Sequence, residues 1–541
     1  MTRRESLLLA GGAPFAAAAS ETFDPEIVRR HDTAVEYYLK NQVTADSRWQ
    51  GALPDAYGLH APGSAVGMWD IYATAFLCSQ SKFAKSALMI ERLALAAKFV
   101  DRSMTPEGNI YLPVTNFNSP PDSAFAVRTA AQTALNARLG GAKEISAIVE
   151  PRLKRMVEAI TSGGIHTPNH RWVVGAGLAQ ANELWPDSRY VRRIDQWLAE
   201  GLDIDADGQW SERSTVTYNP ICDACFVVMA DKLKRPALLD PARRNLESML
   251  YLLHADGEVD TSFSRRQDLH TRGTMAGYWF PLHYLAVKER DGRFGALSRK
   301  LWPTAAPLST LMAYPELNRQ APAVADLPSD FVREMRHNKV MRIRRGQASI
   351  TVHTGDRDQI VSLRYGDAVI NAVRFASAFF GKGQFVPSEM QTVPGGVKLT
   401  QRLDGPYFQP FDPPRVVDAD EWDRTQPTRP RTQVCHMRHT ATVTEIAKGI
   451  RVEIAAEGTD DVPVAVEISV REGAKIEGVD GHLFRGAEAR ISAGTHSMRI
   501  TGGGCEHRYT DVRGALPRFP GQSIYVTGLT PFRRTLDFLW G

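Results

Sequence analysis

Little in this chain announces a role by itself. Its 541 residues carry five cysteines, too few for the disulfide framework of a small secreted scaffold. The formal net charge is only +4, a mild excess that gives no reason to expect a nucleic-acid partner, although local basic clusters can still meet an anionic ligand. Beyond the first twenty residues no apolar run reaches the length that spans a bilayer. The hydrophobic fraction of 43% and charged fraction of 23% are those of an ordinary globular protein. At this length one core is exceeded, and two domains are expected.

The first residues, MTRRESLLLAGGAPFAAAAS, differ from the rest. A basic start at Arg3-Arg4, a short apolar run and small residues near Ala19 form the pattern of an export signal. The paired arginines suggest twin-arginine export. Residues 1–20 are therefore read as a signal peptide of a bacterial periplasmic or secreted protein.

From Asp24 to Trp302 apolar residues recur at helical spacing, as in SAVGMWDIYATAFLCSQ, FAKSALMIERLALAAKFVDRSM and ISAIVEPRLKRMVEAIT. Strand-like alternation is almost absent there. Many ordinary helices joined by short Gly/Pro/Asp loops imply stacked hairpins, as an open solenoid or a closed toroid. The Pro-rich AYPELNRQAPAVADLPSD reads as a linker. After it the period becomes two, in KVMRIRRGQASITVHTG, ATVTEIAKGIRVEIAAEG and VPVAVEISV, which predicts an antiparallel sandwich. The expected architecture is an (α/α) toroid over residues 21–312, a linker over 313–335 and a β-sandwich over 336–541.

Three loops each pair a turn glycine (108, 208, 257) with a polar stretch: TPEGNIYLPVTNFNSPPD, DADGQWSERSTVTYN and HADGEVDTSFSRRQDLHTRG. Loops at equivalent ends of successive hairpins would share one rim. A further stretch, GGIHTPNHRWVVGAGLAQA, opens a helix with Asn169 and His170. Alone it reads as a cap, with Pro168 and Asn169 in favoured places, His170 solvated and Trp172 packed. Tyr218 downstream changes the balance. An asparagine amide and an imidazolium on a uronate carboxylate would stabilise the charge that develops when C5 loses its proton. A tyrosine could take that proton and return one to the leaving oxygen.

With adjacent Asn169-His170 in NHRW and Tyr218 in SERSTVTYN, on a helical toroid followed by a sandwich, the chain resembles the heparinase II/III-like polysaccharide lyases, a group that also includes oligoalginate lyases. The resemblance covers nearly all of the chain after the signal. It implies that Asn169 and His170 neutralise the substrate carboxylate and that Tyr218 is the acid, able to serve as the base as well. It implies a further histidine as base, with His270 as first choice and His353 as second. No cofactor is implied, and the expected partner is an anionic polysaccharide, glycosaminoglycan-like by preference. The oligomeric state is open.

Weaker candidates surround these. Arg265, Arg266 and Arg272 suit an anionic polymer, as does Arg213 beside the proposed acid. Asn116 and Asn118 suit sugar hydroxyls, although turn formation explains them almost as well. Trp172 and Trp210 could stack on sugar faces or pack in the core. His166 reads as an exposed bystander.

Two patterns imitate metal sites. DIDADGQWSERS places Asp203, Asp205, Asp207 and Gly208 like a calcium loop, but Ser214 stands where a bidentate glutamate is needed. Cys435, His436 and His439 in CHMRH are too generic to predict a structural metal. Cys222 and Cys225 read as buried helix residues. Two other classes of function stay open: a glycoside hydrolase using two of Asp207, Glu212 and Asp268, and a binding protein that grips an anionic glycan without cleaving it.

Overall fold

Proline and polar caps set where the early helices begin. The computed structural model describes residues 22–541, so the expected signal peptide lies outside the described residues. Helix α1 (Pro25–Asn41) opens with proline in its first turn and with Asp24 accepting from the Glu26 amide, satisfying a donor that the helix itself leaves unpaired. Then follow α2 (Pro62–Leu77), α3 (Ala87–Ser103), α4 (Pro120–Leu139), α5 (Lys143–Ser162), α6 (Asn169–Leu184), α7 (Ser188–Ala199), α8 (Tyr218–Lys232), α9 (Asp240–Met249), α10 (Trp279–Glu289), α11 (Gly292–Ala305) and α12 (Leu308–Ala313).

These helices pair as hairpins, α2 with α3, α4 with α5, α6 with α7 and α10 with α11. The even-numbered helices α2, α4, α6, α8 and α10 pack in succession against one another. Composition explains which helices go inside. Helix α6 is buried along nearly its whole circumference, as an inner helix must be, whereas α7 buries only Tyr190 and Ile194, the narrow stripe of an outer one. Small residues permit the close approach: a Cβ on Gly175 of α6 would meet Met229 Sδ of α8 at 2.7 Å. The arrangement is the expected toroid of hairpins. Among the described residues it does not close into a barrel, and α12 returns to pack on α2 and α4.

The glycine loops share one local geometry. At Thr105–Asn109, Asp205–Gln209 and His254–Glu258 the first residue's amide reaches the carbonyl four residues on, and the glycine amide reaches back three. The same turn occurs at Asp55–Leu59 around Gly58, a fourth copy that the sequence reading did not single out. Gly108 has φ +95°, and a Cβ there would collide with the Arg155 carbonyl at 2.3 Å.

The second half is antiparallel β throughout its two large sheets. One has the order Gln522–Leu529, Pro463–Val470, Ala368–Ser377, Val361–Tyr365, Ala348–His353, Val340–Arg345, Asp330–Met335. The other runs Lys475–Glu477, Glu488–Ala493, His496–Thr501, Phe532–Trp540, Gly449–Gly458, Arg431–Ile446, Gly396–Phe408, Glu389–Val393. Residues of both, among them Ile350, Val352 and Phe375 from the first and Leu399, Val452 and Phe538 from the second, form one buried cluster. This is the expected sandwich.

The chain divides into two compact units, but not by a single cut. One comprises residues up to Ile204, Trp210–Leu246 and Met275–Asp326; the other comprises Asp205–Gln209, Glu247–Thr274 and Leu327–Gly541. Much of the stretch read as a linker belongs to the helical unit. There Tyr314, Leu317 and Ala321 are buried, His283 bonds the Leu317 carbonyl and Arg299 bonds that of Ala321. The first strand of the two large sheets begins at Asp330, inside the range assigned to the linker. Among the described residues no helix is long and apolar enough to cross a membrane.

Candidate active site

Asn169 is the first residue of α6 and Tyr218 the first of α8. These helices pack side by side in the same unit. The loop that leads into α8 contacts the first residue of α6 through Glu212, which sets the two helix starts at the same end. The loop before α8 ties them more closely. Glu212 Oε1 accepts from the Asn169 amide at 3.0 Å and from Asn169 Nδ2 at 2.6 Å, while Ser214 Oγ accepts from the Tyr218 amide at 3.1 Å.

Asn169 is therefore not the cap that its sequence suggests. The cap position is held by Pro168, whose side chain bonds nothing. A carboxylate from another loop serves the helix N-terminus instead, where it meets both a free amide and the positive end of the dipole. The second Asn169 Nδ2 hydrogen points to Thr167 Oγ1 at 3.1 Å. That oxygen also lies 3.0 and 3.1 Å from the two ring nitrogens of His170. The asparagine amide and the imidazole thus converge on one oxygen. Asn169 Oδ1 is buried without a partner, which fixes its NH2 toward Glu212, since the reverse orientation would set two acceptors against each other.

His170 is buried but has ring neighbours. Phe125 meets it edge-on at 6.1 Å between centroids, and His166 at 4.7 Å. His166 is exposed, as expected. It lines a surface cleft together with Asn116, Asn118 and Pro120. The amides of that cleft are partly committed: Asn116 Nδ2 donates to Asp122 at 2.9 Å, and Asn118 Oδ1 accepts from Thr105 and Asn109. Asn118 sits at φ +45°, a conformation asparagine tolerates better than most residues. Arg213, also at positive φ, is half-buried in the loop that runs from Glu212 to Tyr218.

Trp172 and Trp210 are not sugar platforms. Each is 1% exposed; they stack with Phe226, and their indole N–H groups donate to Asp203 and Asp223. Core packing won because the aromatic faces cover one another and the polar edges found carboxylates, Asp223 among them wholly buried.

His270, Arg265, Arg266 and Arg272 belong to the second unit. His270 sits at φ +59° with its ring against Phe519 at 4.8 Å. Partial burial, followed by the Arg357 charge, lowers its pKa, which leaves a neutral imidazole able to accept a proton. Arg265 and Arg266 are exposed, and Arg272 pairs with Glu258 at 3.1 Å. His353 fails as the alternative base. It is wholly buried, both ring nitrogens lack partners, and burial pushes its pKa down to about 4.

The metal-like patterns have structural uses. Asp203 receives Arg171, Trp172 and Ser211; Asp205 receives the amides of its own turn; Asp207 receives Asn338. His436 pairs with Asp404 on the surface, while His439 points into the sandwich toward Ser377 and Gln401. Cys222 and Cys225 are buried free thiols on α8, and Cys435 and Cys505 are free as well.

No protein-family model and no curated protein sequence matches the chain. Solved structures do. Heparinase III superposes with a TM-score of 0.58 at 10% identity, over 99% of this chain and 88% of that one. The chondroitin AC lyase of Streptomyces coelicolor A3, solved with chondroitin sulphate, gives 0.54 at 14% identity over 98% and 81%. The fold is that of the heparinase and chondroitin-lyase class, a helical toroid followed by antiparallel sheets. At such identities the likeness concerns the fold alone.

Proposed function

We propose that this protein is a lyase that cleaves a uronic-acid-containing polysaccharide, glycosaminoglycan-like by preference, through β-elimination. One observation carries the reading: Asn169 Nδ2 and the His170 imidazole converge on Thr167 Oγ1, at the helix ends where Tyr218 also begins its helix. A substrate carboxylate oxygen that displaces this hydroxyl would meet two donors. Glu212, at 2.6 Å, keeps the other amide hydrogen and so holds the asparagine in place.

In the proposed step the C5–H bond breaks and its electron pair forms the C4–C5 double bond. The C4–O bond breaks, and the glycosidic oxygen leaves with a proton. The carboxylate carries the developing charge, and donors already aimed at it lower the barrier without reorganising. Tyr218 gives the proton to the leaving oxygen. The base is Tyr218 itself or, as the family resemblance implies, a further histidine. The fold shared with a chondroitin lyase and a heparinase supports the class, and export to the periplasm or beyond belongs to the same proposal.

The carboxylates that a hydrolase would need have other partners: Glu212 holds Asn169, Asp207 holds Asn338 and Asp268 receives Ser264. Incubation with heparan sulfate, chondroitin, hyaluronan and alginate tests the proposal. At least one should develop the ultraviolet absorbance of a C4–C5 double bond. Cleavage without that chromophore would exclude elimination.

A further inference from the structure

The inner helices enclose a cavity of about 570 Å³, separate from the surface cleft at His166. Its walls come from α2, α4, α6, α8, α10 and α12, all in the helical unit. The volume falls among small-molecule sites, and it is too small for a length of polymer. Its lining is not that of a packing defect, because such voids are apolar. Arg128 lines it and, among the described residues, forms no ion pair, although Asp70 and Asp122 line the same cavity. Its Nε is buried without a partner. Gln180, 3% exposed, has a buried Oε1 without a partner. Gln132 reaches Ser309 at 3.2 Å, so hydroxyl and amide groups continue along the wall.

Two residues join this cavity to the candidate site. Phe125 lines it and meets the His170 ring edge-on. Asp122 lines it and receives Asn116 and Ser119. A cationic fork, two amides, hydroxyls and an aromatic face are what an acidic sugar asks of a protein. We infer that the cavity is a subsite for one terminal acidic sugar of an oligosaccharide, with Arg128 receiving its carboxylate or sulfate and Gln180 accepting from a hydroxyl. The inference rests on the lyase reading for its substrate class, and it implies that chains are shortened from an end.

Calorimetry on the full chain tests it with glucuronic acid, a sulfated glucosamine and glucose as probes. One of the acidic sugars should bind, with glucose weaker, and the one that binds identifies the anion. Arg128→Gln should weaken that binding about tenfold or more, the scale of a lost charge-assisted bond. Arg128→Lys should lose less. Gln180→Met, which nearly keeps the side-chain volume, guards against misfolding of the arginine variant and should also weaken binding. Equal affinity in wild type and Arg128→Gln overturns the subsite, as does failure of every sugar to bind. Eliminative cleavage with an unchanged KM in Arg128→Gln overturns the subsite and leaves the lyase standing. Arginine-dependent sugar binding with no chromophore from any polyuronate supports the subsite and overturns the lyase.

Discussion

Replacing Glu212 by alanine should destabilise the helical unit well beyond an ordinary surface change. One buried carboxylate oxygen accepts from the Asn169 amide at 3.0 Å and from its side chain at 2.6 Å. Hydrogen bonds to a charged group contribute ~1.5–3 kcal/mol each, and a carboxylate at a helix N-terminus adds ~0.3–1 kcal/mol. The contributions share one oxygen and do not add in full, so a loss of about 3 kcal/mol is expected. Glu212→Gln keeps an acceptor and loses the charge, and should cost about half as much. Urea unfolding followed by tryptophan fluorescence reports the change, since Trp172 and Trp210 are buried in the same unit. With m near ~3 kcal/mol/M, the alanine midpoint should fall by about 1 M. A shift under roughly 0.2 M would refute the assignment of Glu212 as the anchor of α6.

Three further outcomes follow from other residues. Burial raises the Asp70 carboxyl to about 6; the folded state therefore holds a proton that the unfolded chain releases from about pH 4, and stability declines as pH rises from ~4 to ~6. Asp70→Asn should remove that decline and gain at most ~3 kcal/mol above pH 6, whereas pH profiles of the two proteins that run parallel would contradict the raised value. Trp172→Ala should lose ~3–5 kcal/mol in the same urea assay, as a core deletion does, and a loss below ~1 kcal/mol would place the indole outside the core. Tyr218→Phe should lower kcat by ~10²–10⁴-fold while stability changes by less than about 1 kcal/mol, and retention of full turnover would remove the tyrosine from the chemistry.

The fold was legible because its two halves obey different periods. Helices such as α4 and α5, and strands such as Ala348–His353, lie where the 3.6-residue and two-residue patterns put them. Boundaries were less legible. The Pro-rich stretch after α12 has a loop's composition, yet Tyr314 and Leu317 find buried places, which only three-dimensional packing decides. At the candidate site, Asn169, His170 and Tyr218 could be picked out because their chemistry fits one reaction. Glu212 was noticed only as a spare carboxylate, because its partner lies 43 residues away and no local spacing links them. Trp172 stayed open between core and cleft for the converse reason: an amphipathic ring reads alike in both. Arg128 was overlooked because an arginine within a helical repeat looks like a solvated face, and only the packing of six helices turns it inward.

The mass of the products formed in heavy-oxygen water decides how the bond breaks. Elimination takes no oxygen from solvent, so the wild-type protein should release unsaturated fragments free of the heavy isotope. Fragments carrying one heavy oxygen per cleavage would show hydrolysis and contradict the account.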